Sequence, residues 1–142
     1  MRALFDLNFL VAFLDPGHDH HRRAQDWWSA NAELGWATYP LTENGFVRIL
    51  SRPVYPNQLQ PFQAAALLRA ATKIGDHRFF PDLISLRDDQ LFDLSAVRGH
   101  NQLTDIYLLG LAVACSARLI TFDRSLHYAG ARSAEGRHLV IV

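Results

Sequence analysis

The sequence predicts an α/β protein in which helices cover both faces of a mostly parallel sheet. Three observations carry that expectation. Short apolar segments alternate with helical patterns along the whole chain. The strand-like segments are nearly continuous apolar runs rather than alternating ones, as in strands buried on both faces. The 142 residues, 49% of them apolar, suffice for one domain with a sizeable core.

The elements read in order as follows. Ala3–Asp6 is a short apolar strand closed by a carboxylate, and the apolar run Phe9–Leu14 follows until Asp15-Pro16-Gly17 signals a turn. His20–Ala32 fits a helix with Ala24, Trp27, Trp28 and Asn31 at helical spacing, and Leu34–Thr38 fits a second strand ended by Pro40. Thr42–Leu50 is helical with Phe46, Val47 and Leu50 on one face, and the two prolines in 51–56 make a loop. Pro61–Ile74 is a helix with proline in its first turn and Gly75 at its stop. Arg78–Phe80 suggests a short strand, whereas 90–99 favours neither state. Leu103–Ala117 is the clearest helix, with Leu103, Ile106, Tyr107, Gly110, Val113 and Ala114 on one face and Thr104 as its expected N-cap. Leu119–Phe122 and His138–Val142 complete the strands.

Composition excludes several classes of function. Fourteen basic residues balance fourteen acidic ones, so no global positive field draws the chain to nucleic acid. All the basic residues except Lys73 are arginines, whose planar forks suit local phosphate contacts. The lone Cys115 excludes an intrachain disulfide and a cysteine-based zinc site, and its apolar surroundings suggest an inert thiol. Asp6 and Asp15 interrupt the N-terminal apolar stretch well short of an export signal, and no run approaches the roughly 20 residues that span a bilayer. A cytoplasmic protein with no membrane anchor is expected.

Four acids fall where this architecture gathers ligands, at the carboxyl ends of strands. Asp6 ends the first strand and Asp123 follows Leu119–Phe122. Glu43 and Asp105 lie in the first turns of the helices that follow the second strand and precede the fourth. Each has an innocent explanation, since a helix N-terminus favours a carboxylate and acids often open loops. Converging together, they would repel unless some stayed protonated or a cation lay between them. Oxygen donors suit Mg²⁺ or Mn²⁺, ions that activate water and stabilise an in-line displacement at phosphorus.

The residues around these acids resemble a known family. Leu4-Phe5-Asp6-Leu7-Asn8-Phe9-Leu10-Val11-Ala12-Phe13-Leu14-Asp15, continued by His18, His20, His21, Ala24 and Trp28, is similar to the opening of PIN domains of the VapC toxin type. Thr42–Arg48, Gln102–Leu109 and Thr121–Arg124 resemble the later acidic elements, in order and over nearly the whole chain. The resemblance implies a single three-layer α/β/α domain with a sheet of four to five strands. It implies a Mg²⁺- or Mn²⁺-dependent toxin endoribonuclease that is held by a cognate VapB-type antitoxin and usually dimerises. Carried over by position, Asp6, Glu43, Asp105 and Asp123 become the acidic metal cluster. Asp6 and Asp105 are the first expected ligands, with Glu43 and Asp123 direct or through water. Asn8 and Thr121 would orient ligands or water from the second rank. Arg48, Arg98 and Arg124 lie near these acids or in adjoining loops and are candidates for RNA phosphates, whereas Arg22 and Arg23 lie further off in sequence.

Other functions compete with a nuclease. A receiver-type signalling domain shares the size and an acidic Mg²⁺ pocket, but it needs paired acids after its first strand and a lysine ending its last. Here Asp6 has no acidic neighbour and Lys73 belongs to a helix. A PIN fold used only for binding is the second rival, and four intact acids argue against it. The tract His18-Asp19-His20-His21 suggests an HD-type phosphohydrolase, but His77, His100 and His127 fall in no matching helical motif, so a polar helix start is expected there. Trp27, Trp28 and Trp36 are expected in the core or at a subunit contact.

Overall fold

The computed structural model describes residues 1–142. Five strands, β1 (Arg2–Phe5), β2 (Trp36–Thr38), β3 (His77–Phe79), β4 (Ala117–Thr121) and β5 (Leu139–Ile141), form one sheet in the order β3-β2-β1-β4-β5. All four pairings are parallel, with Leu4 opposite both Ala37 and Leu119. The chain builds outward from β1 to β3 and then returns to build β4 and β5 on the other side. The strand order therefore reverses at β1 and β4, where open parallel sheets bind ligands. A receiver domain winds 2-1-3-4-5, so this order removes that alternative.

Five helices cover the sheet: α1 (Leu7–Leu14), α2 (His21–Ser29), α3 (Pro40–Leu50), α4 (Pro61–Ala71) and α5 (Leu103–Ala114). Strand alternation divides the core into two layers. Ala3, Phe5, Trp36 and Ile120 face α1–α4, with Phe9, Leu10, Phe46 and Leu50 packed on them. Leu4, Ala37, Ala117 and Leu119 face α5 and the loops that hold Phe80, Phe92, Leu126 and Ala131. The result is a three-layer α/β/α arrangement. Phe5 anchors the first layer, stacking on Trp36 at 5.4 Å and packing against Phe9 at 4.6 Å. Trp36 is fully buried, and Trp27 and Trp28 pack on the same core, as expected of them. No helix is long and apolar enough to cross a membrane.

The run Phe9–Leu14, which has no helical period of its own, is helix α1. Its first turn is fixed by Asp6, whose Oδ1 accepts the Phe9 N–H at 2.6 Å. Helix α3 begins two residues earlier than its pattern suggests, because Pro40 serves as its first residue instead of merely ending β2. The hydroxyl of Thr42 accepts the Tyr39 N–H at 3.3 Å and donates to the Tyr39 carbonyl at 3.0 Å, closing that turn. The helices expected to reach Ile74 and Ala117 stop three residues early, at Ala71 and Ala114. Beyond α5, Cys115 caps the helix and Ser116 takes a left-handed φ of 52° that turns the chain into β4.

Thr104 is not the N-cap of α5. A 3₁₀ turn, His100–Gln102, runs directly into the helix, Gln102 holds the cap position and Thr104 is exposed. The expected face of α5 is also only partly correct. Ile106 and Gly110 are buried, but so are Leu108, Leu109, Leu111 and Ala112, while Ala114 is exposed. The helix is covered on its far side too, by Phe92, Leu126 and Ala131 from irregular segments. The ambiguous segment 90–99 contains one 3₁₀ turn, Leu94–Ala96, and Phe92 forms an isolated bridge with Ala131.

Candidate active site

Three of the four predicted acids lie within range of one another's charge near where the strand order reverses. Asp6 leaves the end of β1, and its N–H donates to the Ile120 carbonyl of β4 at 3.1 Å, which fixes it against the neighbouring strand. It is buried and forms no ion pair. Burial pushes its carboxyl up to about 7. Hydrogen bonds from the Thr121 hydroxyl and the Phe9 N–H act in the opposite direction, and the charges of Asp105 and Asp123 raise it further. Asp105, half-buried in the first turn of α5, is raised to about 6 by burial and then by Asp123. Asp6, Asp105 and Asp123 thus feel one another's charge.

The loop after β4 holds Asp123 in a defined pose. Its Oδ1 accepts from the Ser125 N–H at 2.8 Å and the Ser125 hydroxyl at 2.7 Å, while its own N–H donates to Thr121 Oγ1 at 2.9 Å. Thr121 thus lies beside both strand ends, accepting the Asp123 N–H and acting on the Asp6 carboxyl. Asn8 is exposed and lies with Asp123 on the wall of one pocket.

Glu43, in the first turn of α3, is held by a different set of partners. Its Oε1 accepts from the Thr38 hydroxyl at 2.5 Å, and Thr38 Oγ1 lies 2.8 Å from His77 Nε2. Since the Thr38 proton is directed at Glu43, His77 must donate to Thr38, which fixes its Nε2–H tautomer. His77 sits edge-on to Trp36 at 4.5 Å, and burial lowers its pKa. The resulting chain His77–Thr38–Glu43 ties β3, β2 and α3 together. Nothing in the sequence signals it, because the three residues meet only through strand pairing.

Of the predicted arginines, Arg98 lines a pocket of about 420 Å³ with Gln102, His127 and Tyr128. Arg48 and Arg124 are exposed and form no ion pair. Arg23, distant from the acids in sequence, sits over the Phe122 ring at 5.3 Å, next to Asp123. The histidine tract divides by position. His21 Nδ1 bonds the Ala12 carbonyl at 2.7 Å, whereas His18, Asp19 and His20 line the pocket shared by Asn8 and Asp123.

The donor set suits a hard divalent cation. A buried carboxylate with acidic neighbours and no basic partner is held partly neutral near pH 7, and a cation beside it would favour its charged form. No three carboxylate, imidazole or thiol groups cluster tightly enough to cage an ion unaided.

Comparison with known proteins gives a consistent result. No protein-family model matches the sequence. Ribonuclease VapC44 of Mycobacterium tuberculosis is 42% identical over 139 residues, covering 98% of each chain. Ribonuclease VapC38 of the same organism is 47% identical over 122 residues, 85% of this chain and 84% of that one. Ribonuclease VapC39 is 42% identical over 127 residues, 89% and 91% of the two chains. Identity at this level along nearly the full length, on a three-layer fold with acids at its switch point, shows that the chain belongs to the VapC ribonuclease family.

Proposed function

We propose that this protein is a toxin endoribonuclease that hydrolyses RNA phosphodiester bonds in the cytoplasm and is restrained by a VapB-type antitoxin. The observation that supports the proposal is that Asp6 and Asp123 follow the adjacent strands β1 and β4 at the switch point, with Asp105 close enough for its charge to act on Asp6, and that the carboxyls of Asp6 and Asp105 are raised well above their ordinary range. A bound Mg²⁺ or Mn²⁺ would supply an activated water and offset the charge that develops at phosphorus. Asp6 and Asp105 are proposed to hold it directly, with Asp123 and Glu43 direct or through water.

The chain prepares these acids before any ligand arrives. Asp123 and Glu43 each have one carboxylate oxygen anchored inside the protein, by Ser125 and Thr38 respectively, while the other accepts no hydrogen bond. Asp6 is anchored through Oδ1 by the Phe9 N–H. Anchoring removes the rotamer freedom that ligand binding would otherwise have to quench. Thr121, beside both Asp6 and Asp123, is proposed to orient them, and Asn8 lines the adjoining pocket. Arg48, Arg98 and Arg124 are proposed to meet RNA phosphates around the cleft, local contacts that suit a chain with no net charge. A homodimer is proposed as well, to be read from molar mass in solution by light scattering.

The test is cleavage of total cellular RNA by the purified protein in EDTA, Mg²⁺ or Mn²⁺, beside Asp6→Asn. Discrete fragments should form only with metal and only with the parent protein. Equal cutting by a folded Asp6→Asn variant would sink the proposal. No cutting by either would favour a PIN fold used for binding alone.

A further inference from the structure

The tract before α2 stands beside the acids, and its side chains are arranged for more than solvation. His18, Asp19, His20, Asn8, Phe122 and Asp123 line one pocket of about 530 Å³, within the roughly 300–1,000 Å³ typical of ligand sites. The two imidazole rings stand 5.8 Å apart, and the His20 ring lies 5.0 Å from Phe122. Phe122 is held from behind by Phe9 at 5.2 Å and is flanked by the Arg23 guanidinium. The His20 N–H donates to His18 Nδ1 at 3.0 Å, so the proton of the neutral His18 ring resides on Nε2 as a donor. His20 is exposed, and its ring makes no hydrogen bond within the chain.

We infer that this pocket is a nucleotide subsite beside the cleavage centre, in which one unstacked base of single-stranded RNA packs on the wall formed by His20 and Phe122. His18 Nε2 and the Asn8 amide are the donors positioned for that nucleotide's phosphate or sugar. Single-stranded RNA is recognised through splayed bases stacked on aromatic rings, histidine included, together with polar contacts to the backbone. Here a π-surface, two donors and a flanking arginine lie against one of the proposed catalytic acids. Asp123 in the same wall places the nucleotide next to the scissile phosphate. The inference rests on the nuclease reading, from which it takes the identity of the polymer.

The experiment measures the affinity of a fluorescein-labelled single-stranded RNA of random sequence by anisotropy, using Asp105→Asn as the non-cleaving parent. His20→Ala on that parent should weaken binding about 5- to 10-fold, the scale of one lost base stack. His20→Phe should retain affinity within about 2-fold, and His18→Ala should weaken it about 3-fold or more through a lost hydrogen bond. In the cleaving protein, His20→Ala should raise KM with little change in kcat. Melting temperatures should match the parent's throughout. If the wild type cleaves RNA but His20→Ala binds as tightly as its parent, the subsite is wrong and the nuclease stands. Equal losses for His20→Ala and His20→Phe would likewise overturn stacking. A protein that neither binds nor cleaves RNA would overturn both.

Discussion

At the scale of single residues, the unusual feature is Asp6, a carboxyl that folding removes from water and places near two other acids. The sign of its effect on stability follows from linkage. Its folded pKa, about 7, lies above the ordinary 3.8, so between those values the folded state binds more protons than the unfolded state. Its neutral form is compatible with folding below about pH 4, and stability is lost as pH rises toward 7. Melting temperature in EDTA should therefore fall between pH 5 and pH 8 more steeply than in Asp6→Asn, which can still cap α1 but cannot ionise. Millimolar Mn²⁺ should flatten the wild-type slope. Parallel wild-type and Asp6→Asn curves would show that Asp6 is not held neutral by its surroundings. Thr38 makes a second residue-scale case, since Thr38→Val leaves both Glu43 and His77 without their partner. A loss of about 1–3 kcal/mol is expected in chemical denaturation, with RNA cleavage reduced beyond what the unfolded fraction explains. Cleavage at the wild-type level would mean that the pose of Glu43 does not matter.

At the scale of elements, legibility follows how local each cause is. The continuous apolar run Ala3-Leu4-Phe5 reads as a buried strand because both of its faces are covered, and the structure agrees. Helix α1 hides its type, since an eight-residue apolar helix buried by the sheet and α2–α4 has no polar face to mark a period. Helix α5 hides its orientation for a related reason: Phe92 and Leu126, far apart in sequence, close over the side that a two-layer pattern would leave to water. Gly110 records that closure. A Cβ there would lie 2.6 Å from two ring atoms of the buried Phe92. Gly110→Ala should accordingly destabilise by about 1–3 kcal/mol despite its higher helix propensity, as overpacked cores do. An unchanged or raised denaturation midpoint would show that Phe92 can move aside. The acids were legible by their order along the chain, because each follows a strand end or opens a helix. The tie of Glu43 to Thr38 and His77 was not, since it depends on the pairing of β2 with β3. The placement of His18 and His20 beside Asp123 was equally hidden, because it depends on how the approach to α2 meets the end of β4.

At the scale of the whole molecule, strand order accounts for the site. Reversal at β1 and β4 leaves a crevice at their carboxyl ends, and both strands deliver an aspartate there within two residues of their last paired position. Helix α5 crosses the opposite face and brings Asp105 in its first turn, where the helix N-terminus favours a carboxylate. The fold therefore concentrates negative charge at one edge of an otherwise neutral chain. On the proposed reading a divalent cation would relieve that repulsion, and ion binding and folding would be coupled through mass action. The most direct measurement is calorimetric titration of Mn²⁺ into the RNA-free protein at pH 7.5, compared with Asp6→Asn and Asp105→Asn. Saturable binding by the wild type, with proton release as Asp6 ionises and at least a 10-fold loss of affinity in each variant, is the predicted result. Equal affinity in all three proteins, or no saturable binding by the wild type, would contradict a metal centre at the switch point.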